Sequence, residues 1–135
     1  MRHDLLFETD RFNLSQVREH FINPCCFGED LAEWLRGKLA ERGVKASAPD
    51  QEDWGWYLGA DYEGHSYFIG VGGNADDARG GNFGEWRIMV EEPRSLWSRL
   101  TKKKKPTPER MFAMVRAIVE AEPDFTNVRP DDGAS

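Results

Sequence analysis

Residues 54–71 read WGWYLGADYEGHSYFIGV and carry the clearest β pattern in the chain. Large apolar residues alternate with other residues on both sides of Glu63-Gly64, a dipeptide suited to a tight hairpin turn. Because side chains in a strand point alternately to opposite faces, a turn at these two residues brings three apolar pairs onto one face. The pairs are Trp56 with Val71, Leu58 with Ile69, and Ala60 with Tyr67.

Three further segments are predicted to add strands to this hairpin. Residues 85–91 alternate large apolar side chains with polar or mixed ones, and consecutive strands of this kind usually pair as an antiparallel meander. Weaker patterns predict an N-terminal strand at 4–9 and a short strand at 44–48. The three strands of the meander are expected near 54–61, 65–72 and 85–91.

Two segments have the spacing of amphipathic helices. Residues 28–42 and 107–122 repeat apolar residues at intervals of three and four, which places them on one helix face. The two stripes are Leu31, Trp34, Leu35 and Leu39, and then Met111, Met114, Val115, Ile118 and Val119. Two apolar helix stripes and one apolar sheet face predict a two-layer α+β domain, with both helices packed on the same face of the sheet.

The chain of 135 residues is expected to form a single domain, 1–135. Residues 72–84 include five glycines and are predicted to be a mobile loop, since long connections are usually functional or disordered. Residues 123–135 are rich in Asp, Pro and Gly and are predicted to be a frayed tail. Tryptophans with the spacing of core residues are Trp34, Trp54, Trp56 and Trp86.

The composition is typical of a small, folded, soluble protein. Hydrophobic residues make up 39% of the chain and aromatic residues 12%, which is enough to form a core without metals or disulfides. The net charge of −6 disfavours a broad nucleic-acid surface. The sequence has no run of about 18 apolar residues and no apolar stretch typical of a secretory signal, so no membrane span is expected. With only two cysteines, the chain is predicted to be cytoplasmic.

The basic charge is concentrated in one segment, residues 94–105. This segment has six basic residues and no acid, which leaves 12 basic against 24 acidic residues elsewhere, a balance of −12. A tryptophan among cations suits contact with phosphates, RNA or anionic lipid, whereas the alternative is a solvated connector. The residues concerned are Arg94, Trp97, Arg99, Lys102, Lys103, Lys104 and Lys105.

Cys25 and Cys26 directly precede the first predicted helix. A thiol at a helix N-terminus can have a lowered pKa and react as a thiolate, which makes these two residues weak catalytic candidates. Glu29 and Asp30 oppose this, because nearby carboxylates raise the pKa of a thiol. The alternative is two buried, inert cysteines, which are not expected to bridge each other because adjacent cysteines make a strained disulfide.

No metal or cofactor site is predicted. His65 lies near Asp61 at the hairpin turn, but a polar, solvated turn explains both residues. Asn74, Asp76 and Asp77 lack the ligand spacing of a calcium loop. The glycines of 72–84 also do not lie between a strand and a helix start, so they predict no phosphate-binding loop.

Tyr57 and Phe68 project from the face of the hairpin opposite the predicted core. If no further layer covers them, they form an exposed aromatic surface of the kind that usually binds a partner. The alternative is that the N-terminal segment or the glycine-rich loop covers them.

The sequence therefore favours a small acidic binding module that contacts another protein, as an immunity or adaptor protein does, without catalysis. A homo-oligomer is compatible with it. Two alternatives stay open at this point. One is a thiol-dependent enzyme or redox protein that uses Cys25 or Cys26. The other is an anion, nucleic-acid or membrane-surface accessory protein that uses residues 94–105.

Overall fold

The protein has a mixed α+β fold in which one antiparallel sheet dominates. The computed structural model describes residues 3–14, 18–22, 26–76, 78, 81–91 and 108–131. Within these residues the chain forms two helices and a seven-stranded sheet. The elements in chain order are β1 (His3–Thr9), α1 (Glu29–Glu41), β2 (Lys45–Ala46), β3 (Asp50–Glu52), β4 (Gly55–Tyr62), β5 (His65–Ala75), β6 (Gly84–Glu91), α2 (Pro108–Glu120) and β7 (Thr126–Pro130).

The hairpin formed by β4 and β5 has the register that the sequence predicts. Trp56 pairs with Val71, Leu58 with Ile69 and Ala60 with Tyr67, so the prediction is confirmed pair by pair. The turn residues Glu63 and Gly64 have φ angles of 52° and 80°. Two successive positive φ angles define the turn whose twist matches that of the flanking strands.

The sheet is larger than the predicted meander. Its strand order is β2-β4-β5-β6-β1-β7, and β3 pairs with β4 beyond the end of β2. The predicted N-terminal strand is β1, and it lies between β6 and β7 rather than at an edge. The predicted strand at 44–48 is shorter, Lys45–Ala46. The strand β3 was not predicted, because its three residues Asp50–Glu52 are polar and follow a proline.

Residues 123–131, the described part of the C-terminal region, contradict the prediction of a frayed tail over 123–135. Phe125 is buried and stacks on Phe7 of β1, with ring centroids 4.8 Å apart. This contact anchors the chain where β7 begins to pair with β1. Asn127 has a φ of 54° at the point where the register shifts, as expected of a β-bulge.

The glycine-rich connection is shorter than the predicted 72–84, because β5 continues to Ala75 and β6 begins at Gly84. Gly73 explains why glycine occurs inside a strand here. A Cβ atom at Gly73 would lie 2.6 Å from the indole of Trp86, so only a glycine allows this fully buried ring to approach the neighbouring strand.

One hydrophobic cluster forms the core. It combines one face of the sheet, here called the core face, with buried residues of both helices. On the core face lie Leu5, Phe7, Trp56, Leu58, Ala60, Tyr67, Ile69, Val71, Trp86, Ile88 and Val90, while the helices contribute Leu31, Ala32, Leu35, Leu39, Met111, Val115, Ile118 and Val119. Each fully buried large side chain contributes about 1.5–3 kcal/mol of transfer free energy. Neither helix of the described chain has the length and apolarity needed to cross a membrane.

The helices follow the predicted bounds closely, with Glu29–Glu41 against 28–42 and Pro108–Glu120 against 107–122. The tryptophans follow the prediction in part. Trp56 and Trp86 are core residues. Trp34 is half-buried and packs against the edge of the core beside Phe125. Trp54 lies outside the core cluster, so its prediction is wrong.

Candidate binding face of the sheet

The face of the sheet opposite the core face has four large apolar side chains close together. Trp54, Tyr57, Phe68 and Met89 are all half-buried, and we call them the aromatic patch. The strand register places Tyr57, Gly70 and Met89 side by side on β4, β5 and β6. Phe68 lies two residues before Gly70 on β5, on the same face. The prediction that Tyr57 and Phe68 share this face is confirmed.

The rings of the aromatic patch touch one another. Tyr57 and Phe68 are stacked, with centroids 5.3 Å apart and planes at 19°. Trp54 and Phe68 are tilted at 60°, with centroids 6.3 Å apart. Offset and tilted aromatic pairs of this kind are each worth about 0.5–1.5 kcal/mol beyond the area they bury. The patch is therefore an ordered surface before any partner binds.

Gly70 forms the floor of the aromatic patch. A Cβ atom there would lie 2.7 Å from Cη2 of Trp54 and 2.8 Å from Cε of Met89. Trp54 belongs to the turn between β3 and β4, and the absence of a side chain at Gly70 lets its indole lie against the sheet. The turn breaks the alternation that continues through Trp56, which is why the spacing of Trp54 in the sequence misleads.

Gly59 does not have the role that its register suggests. It pairs with Phe68, and a glycine at this position leaves room for the Phe68 ring over its bare backbone. A Cβ atom at Gly59 would have only Oγ of Ser47 within 4 Å, at 3.7 Å. Phe68 leans instead toward Tyr57 and Trp54, where the stacked and tilted ring contacts form.

Three carboxylates border the aromatic patch on its β4 side. Asp50 pairs with Tyr57 and Glu52 with Gly55 across β3 and β4, and Asp61 follows Gly59 two residues along β4. We call Asp50, Glu52 and Asp61 the acidic rim. All three are exposed.

The negative charges of the acidic rim have no ion-pair partner in the described part of the chain. No Lys, Arg or His nitrogen of that part lies within 4.0 Å of a rim carboxylate. Asp61 accepts a hydrogen bond of 2.6 Å from the hydroxyl of Ser66, and Lys45 is its register partner without reaching ion-pair distance. The rim therefore keeps three negative charges next to exposed parts of the rings.

The other half of the same face is built differently. Arg87 on β6 forms ion pairs with Asp4 on β1 and with Asp131, the latter at 2.7 Å. Arg129 on β7 pairs with Glu85 on β6 at 2.6 Å. We call Asp4, Glu85, Arg87, Arg129 and Asp131 the ion-paired half.

Within the ion-paired half, burial and partners act on Arg87 in opposite directions. Burial alone lowers the pKa of Arg87. Hydrogen bonds to Asp131 and Asp4, together with their charges, outweigh burial and raise this pKa above its ordinary value. Leu6 lies between Arg87 and Arg129 in the register and is buried, because the long arginine stems cover apolar neighbours. This half satisfies its own charges.

Cys26 does not match the prediction of a free thiol. It is disulfide-bonded in the structure, so its sulfur is not a reactive thiol. Its Sγ atom lies 3.2 Å from the carbonyl oxygen of Asp53, and its own carbonyl oxygen accepts a hydrogen bond of 3.1 Å from the indole of Trp56. Cys25, the other weak catalytic candidate, lies outside the described residues.

The remaining sequence predictions bear on metals and anions. In the described part of the chain, no three His, Cys, Asp or Glu side chains are arranged to hold a metal ion. Asn74 belongs to β5, and Asp76 accepts a hydrogen bond of 3.0 Å from the amide of Ala78. Asp77 and the whole basic segment 94–105 lie outside the described residues. Binding through Arg94, Trp97, Arg99 and Lys102 to Lys105 stays a prediction.

Sequence reasoning missed two members of the aromatic patch, Trp54 and Met89. Trp54 has the spacing of a core residue. The alternation in 85–91 places Met89 on the face opposite the core but does not show that it lies beside the rings. A usable signal was present in Gly70, since a glycine inside a strand often marks the close approach of another group. Comparison with protein-family models, curated proteins and solved structures found no match to this chain.

Proposed function

We propose that this protein is a non-catalytic binding module that contacts another protein through the aromatic patch. The observation that supports the proposal is the continuous group of half-buried rings on the face opposite the core, with Tyr57 stacked on Phe68. Aromatic residues supply a large contact area at little cost in side-chain entropy, and they dominate the energetics of protein interfaces.

The proposal includes the predicted two-layer arrangement, in which both helices cover the core face and leave the other face for a partner. Its support is that buried residues of α1 and α2 belong to one cluster with the core face. Aromatic residues of the opposite face, by contrast, keep exposed area. In this arrangement the two described helices leave the rings accessible to a partner.

The charge around the aromatic patch favours a protein partner over nucleic acid or anionic lipid. The acidic rim repels phosphate groups, and the net charge of the chain is −6. A non-catalytic role, a protein partner and a cytoplasmic location are all parts of this proposal. A stable interface buries about 800 Å² on each partner, so the patch serves as the centre of a larger contact.

The proposal is tested with the full chain as an affinity bait, compared with a double variant, Tyr57→Ser with Phe68→Ser. The matched control is Glu85→Gln with Arg129→Gln, which changes two residues on the same face in the ion-paired half. Proteins bound to each bait are quantified by mass spectrometry, and the fold of each bait is checked by circular dichroism.

We expect at least one protein to bind the wild type and the control equally and to be reduced about tenfold or more on the double variant, since loss of two interface rings costs at least about 1.4 kcal/mol. If every captured protein binds all three baits equally, the aromatic patch is not a binding surface and the proposal is wrong.

A further inference from the structure

We propose that the aromatic patch binds a cationic segment of its partner through arginine side chains, an inference that rests on the proposed function. An arginine guanidinium would stack on the exposed part of Tyr57 and form an ion pair with the acidic rim. The inference names the chemistry of the occupant, which the proposed function leaves open.

The geometry of the sheet brings both parts of an arginine site together. Tyr57 and Asp50 are register partners on β4 and β3. Directly opposed residues of neighbouring antiparallel strands have Cβ atoms about 5 Å apart. A guanidinium that lies over the Tyr57 ring is therefore within reach of the Asp50 carboxylate, and Glu52 follows Asp50 on the same face.

Arginine fits these two neighbours better than lysine does. Its guanidinium is planar, so one face can stack on an aromatic ring while its edge donates two parallel hydrogen bonds to a carboxylate. The lysine ammonium is a compact and strongly hydrated charge that gains less from a ring. The stacked pair of Tyr57 and Phe68 offers a preformed surface for such a planar group.

The alternative occupants are disfavoured by charge. A second copy of this chain would bring its own acidic rim against the first, and like charges across an interface cost free energy. Nucleic acid and anionic lipid present phosphates to the same carboxylates. Outside 94–105 the chain has 12 basic against 24 acidic residues, a balance of −12 that also steers a cationic partner toward the protein.

The experiment uses three capped peptides that are identical except at three positions occupied by arginine, lysine or citrulline. Citrulline has nearly the shape of arginine but no charge. Each peptide is titrated into the full chain labelled with ¹⁵N, and amide shifts give both the affinity and the location of binding. The variants tested are Tyr57→Leu with Phe68→Leu, Asp50→Asn with Glu52→Gln, and the control Glu85→Gln with Arg129→Gln.

The arginine peptide is expected to shift amides of β3, β4 and β5 and to bind about fivefold more tightly than the lysine peptide, with no saturable binding of the citrulline peptide. Each of the first two variants is expected to weaken the arginine peptide about fivefold or more. The control is expected to bind it like the wild type. Leucine at both ring positions keeps an apolar strand surface, so a folded variant is available.

Three results would overturn the inference. One is equal binding of the arginine and citrulline peptides, and another is equal binding of the arginine and lysine peptides. The third is a dimer of this chain formed through the aromatic patch, seen by sedimentation at the concentrations used.

Competition separates this inference from the proposed function. A protein captured through Tyr57 and Phe68 that the arginine peptide does not displace overturns the inference alone. Binding of the arginine peptide at the patch, with no protein captured through it, overturns the proposed function alone.

Discussion

The two halves of the face opposite the core arrange their charged and apolar side chains in different ways. Strands β6, β1 and β7 place arginines next to carboxylates, so that each charge has a partner and the arginine stems cover Leu6. In strands β3, β4 and β5 the Trp54 ring lies over Gly70, and the rim carboxylates have no ion pair with a cation of the described residues. The first half pairs its own charges, whereas the second keeps half-buried rings beside exposed carboxylates.

The contrast separates a stabilising surface from a binding surface on one sheet. A surface whose charges pair internally gains little from a partner, because binding would first have to break those pairs. A surface of preordered rings has already lost most of its side-chain freedom, so a partner that covers it pays less entropy on binding.

The largest expected effect lies in the ion-paired half, at Arg87. The Asp4 side chain is 2% exposed and Arg87 35% exposed. Removing one partner of a buried ion pair costs about 3–5 kcal/mol, and the partial exposure of Arg87 reduces this to about 2–3 kcal/mol for Arg87→Met. Urea unfolding measures the loss.

Two further variants test this interpretation of Arg87. Arg129→Met removes the more exposed pair with Glu85 and is expected to cost less than about 1 kcal/mol. Asp4→Leu combined with Arg87→Met is expected to recover part of the loss, because no charge is left buried. If Arg87→Met and Arg129→Met cost the same, Asp4 is not the reason for the stability of this half.

The next effect lies in the aromatic half, at Gly70. Alanine there meets Trp54 and Met89, and overpacking of this kind typically costs about 1–3 kcal/mol. Displacement of the Trp54 indole is expected to shift its fluorescence emission to longer wavelength. Gly59→Ala is the matched control on the neighbouring strand, since its Cβ would meet only Ser47 at 3.7 Å.

For Gly59→Ala we expect no loss of stability, and a gain of about 0.5 kcal/mol is consistent with the lower entropy of the unfolded alanine chain. Equal destabilisation by the two alanines would show that Gly70 has no special role as the floor of the aromatic patch.

Local patterns predicted the central hairpin because every cue agreed. The turn dipeptide Glu63-Gly64, the alternation on both sides and the apolar pairs all specify one register. Helix α1 was predicted for a similar reason, since its apolar stripe and its acidic first turn point to the same segment. Where cues within about 20 residues reinforce one another, sequence was sufficient.

Long-range pairing accounts for what the sequence did not reveal. The strand β7 has few apolar residues and ends in Pro130, so nothing local marks it as a strand. It forms because β1, at the opposite end of the chain, offers an edge, and because Phe125 reaches Phe7. The aromatic patch was half-predicted for the same reason. Tyr57 and Phe68 follow from alternation, whereas Trp54 joins them only through a turn and the glycine of another strand.

The smallest expected effect is the response to acid where the ion pairing continues beyond the sheet. Arg11, just after β1, donates a hydrogen bond of 3.0 Å from Nε to Asp124, just before β7, and pairs with Glu122 at 2.6 Å. The hydrogen bond from Arg11 lowers the pKa of Asp124. A lowered carboxyl pKa stabilises the folded state above the ordinary value of about 3.9, and this contribution is lost as the pH falls through the lowered pKa.

Asp124→Asn is therefore expected to be less stable than the wild type at pH 6, by less than about 1 kcal/mol because the pair is exposed, and to approach it as the pH falls toward about 2. Urea midpoints measured across this range test the prediction. The difference in stability between Arg11→Gln and the wild type should also shrink as the pH falls, since this variant removes the same hydrogen bond from the other side. A difference between Asp124→Asn and the wild type that stays constant with pH would mean that Asp124 stabilises β7 by packing or backbone geometry. The ion-paired region would then end at the edge of the sheet, and its contrast with the aromatic half would be confined to the sheet itself.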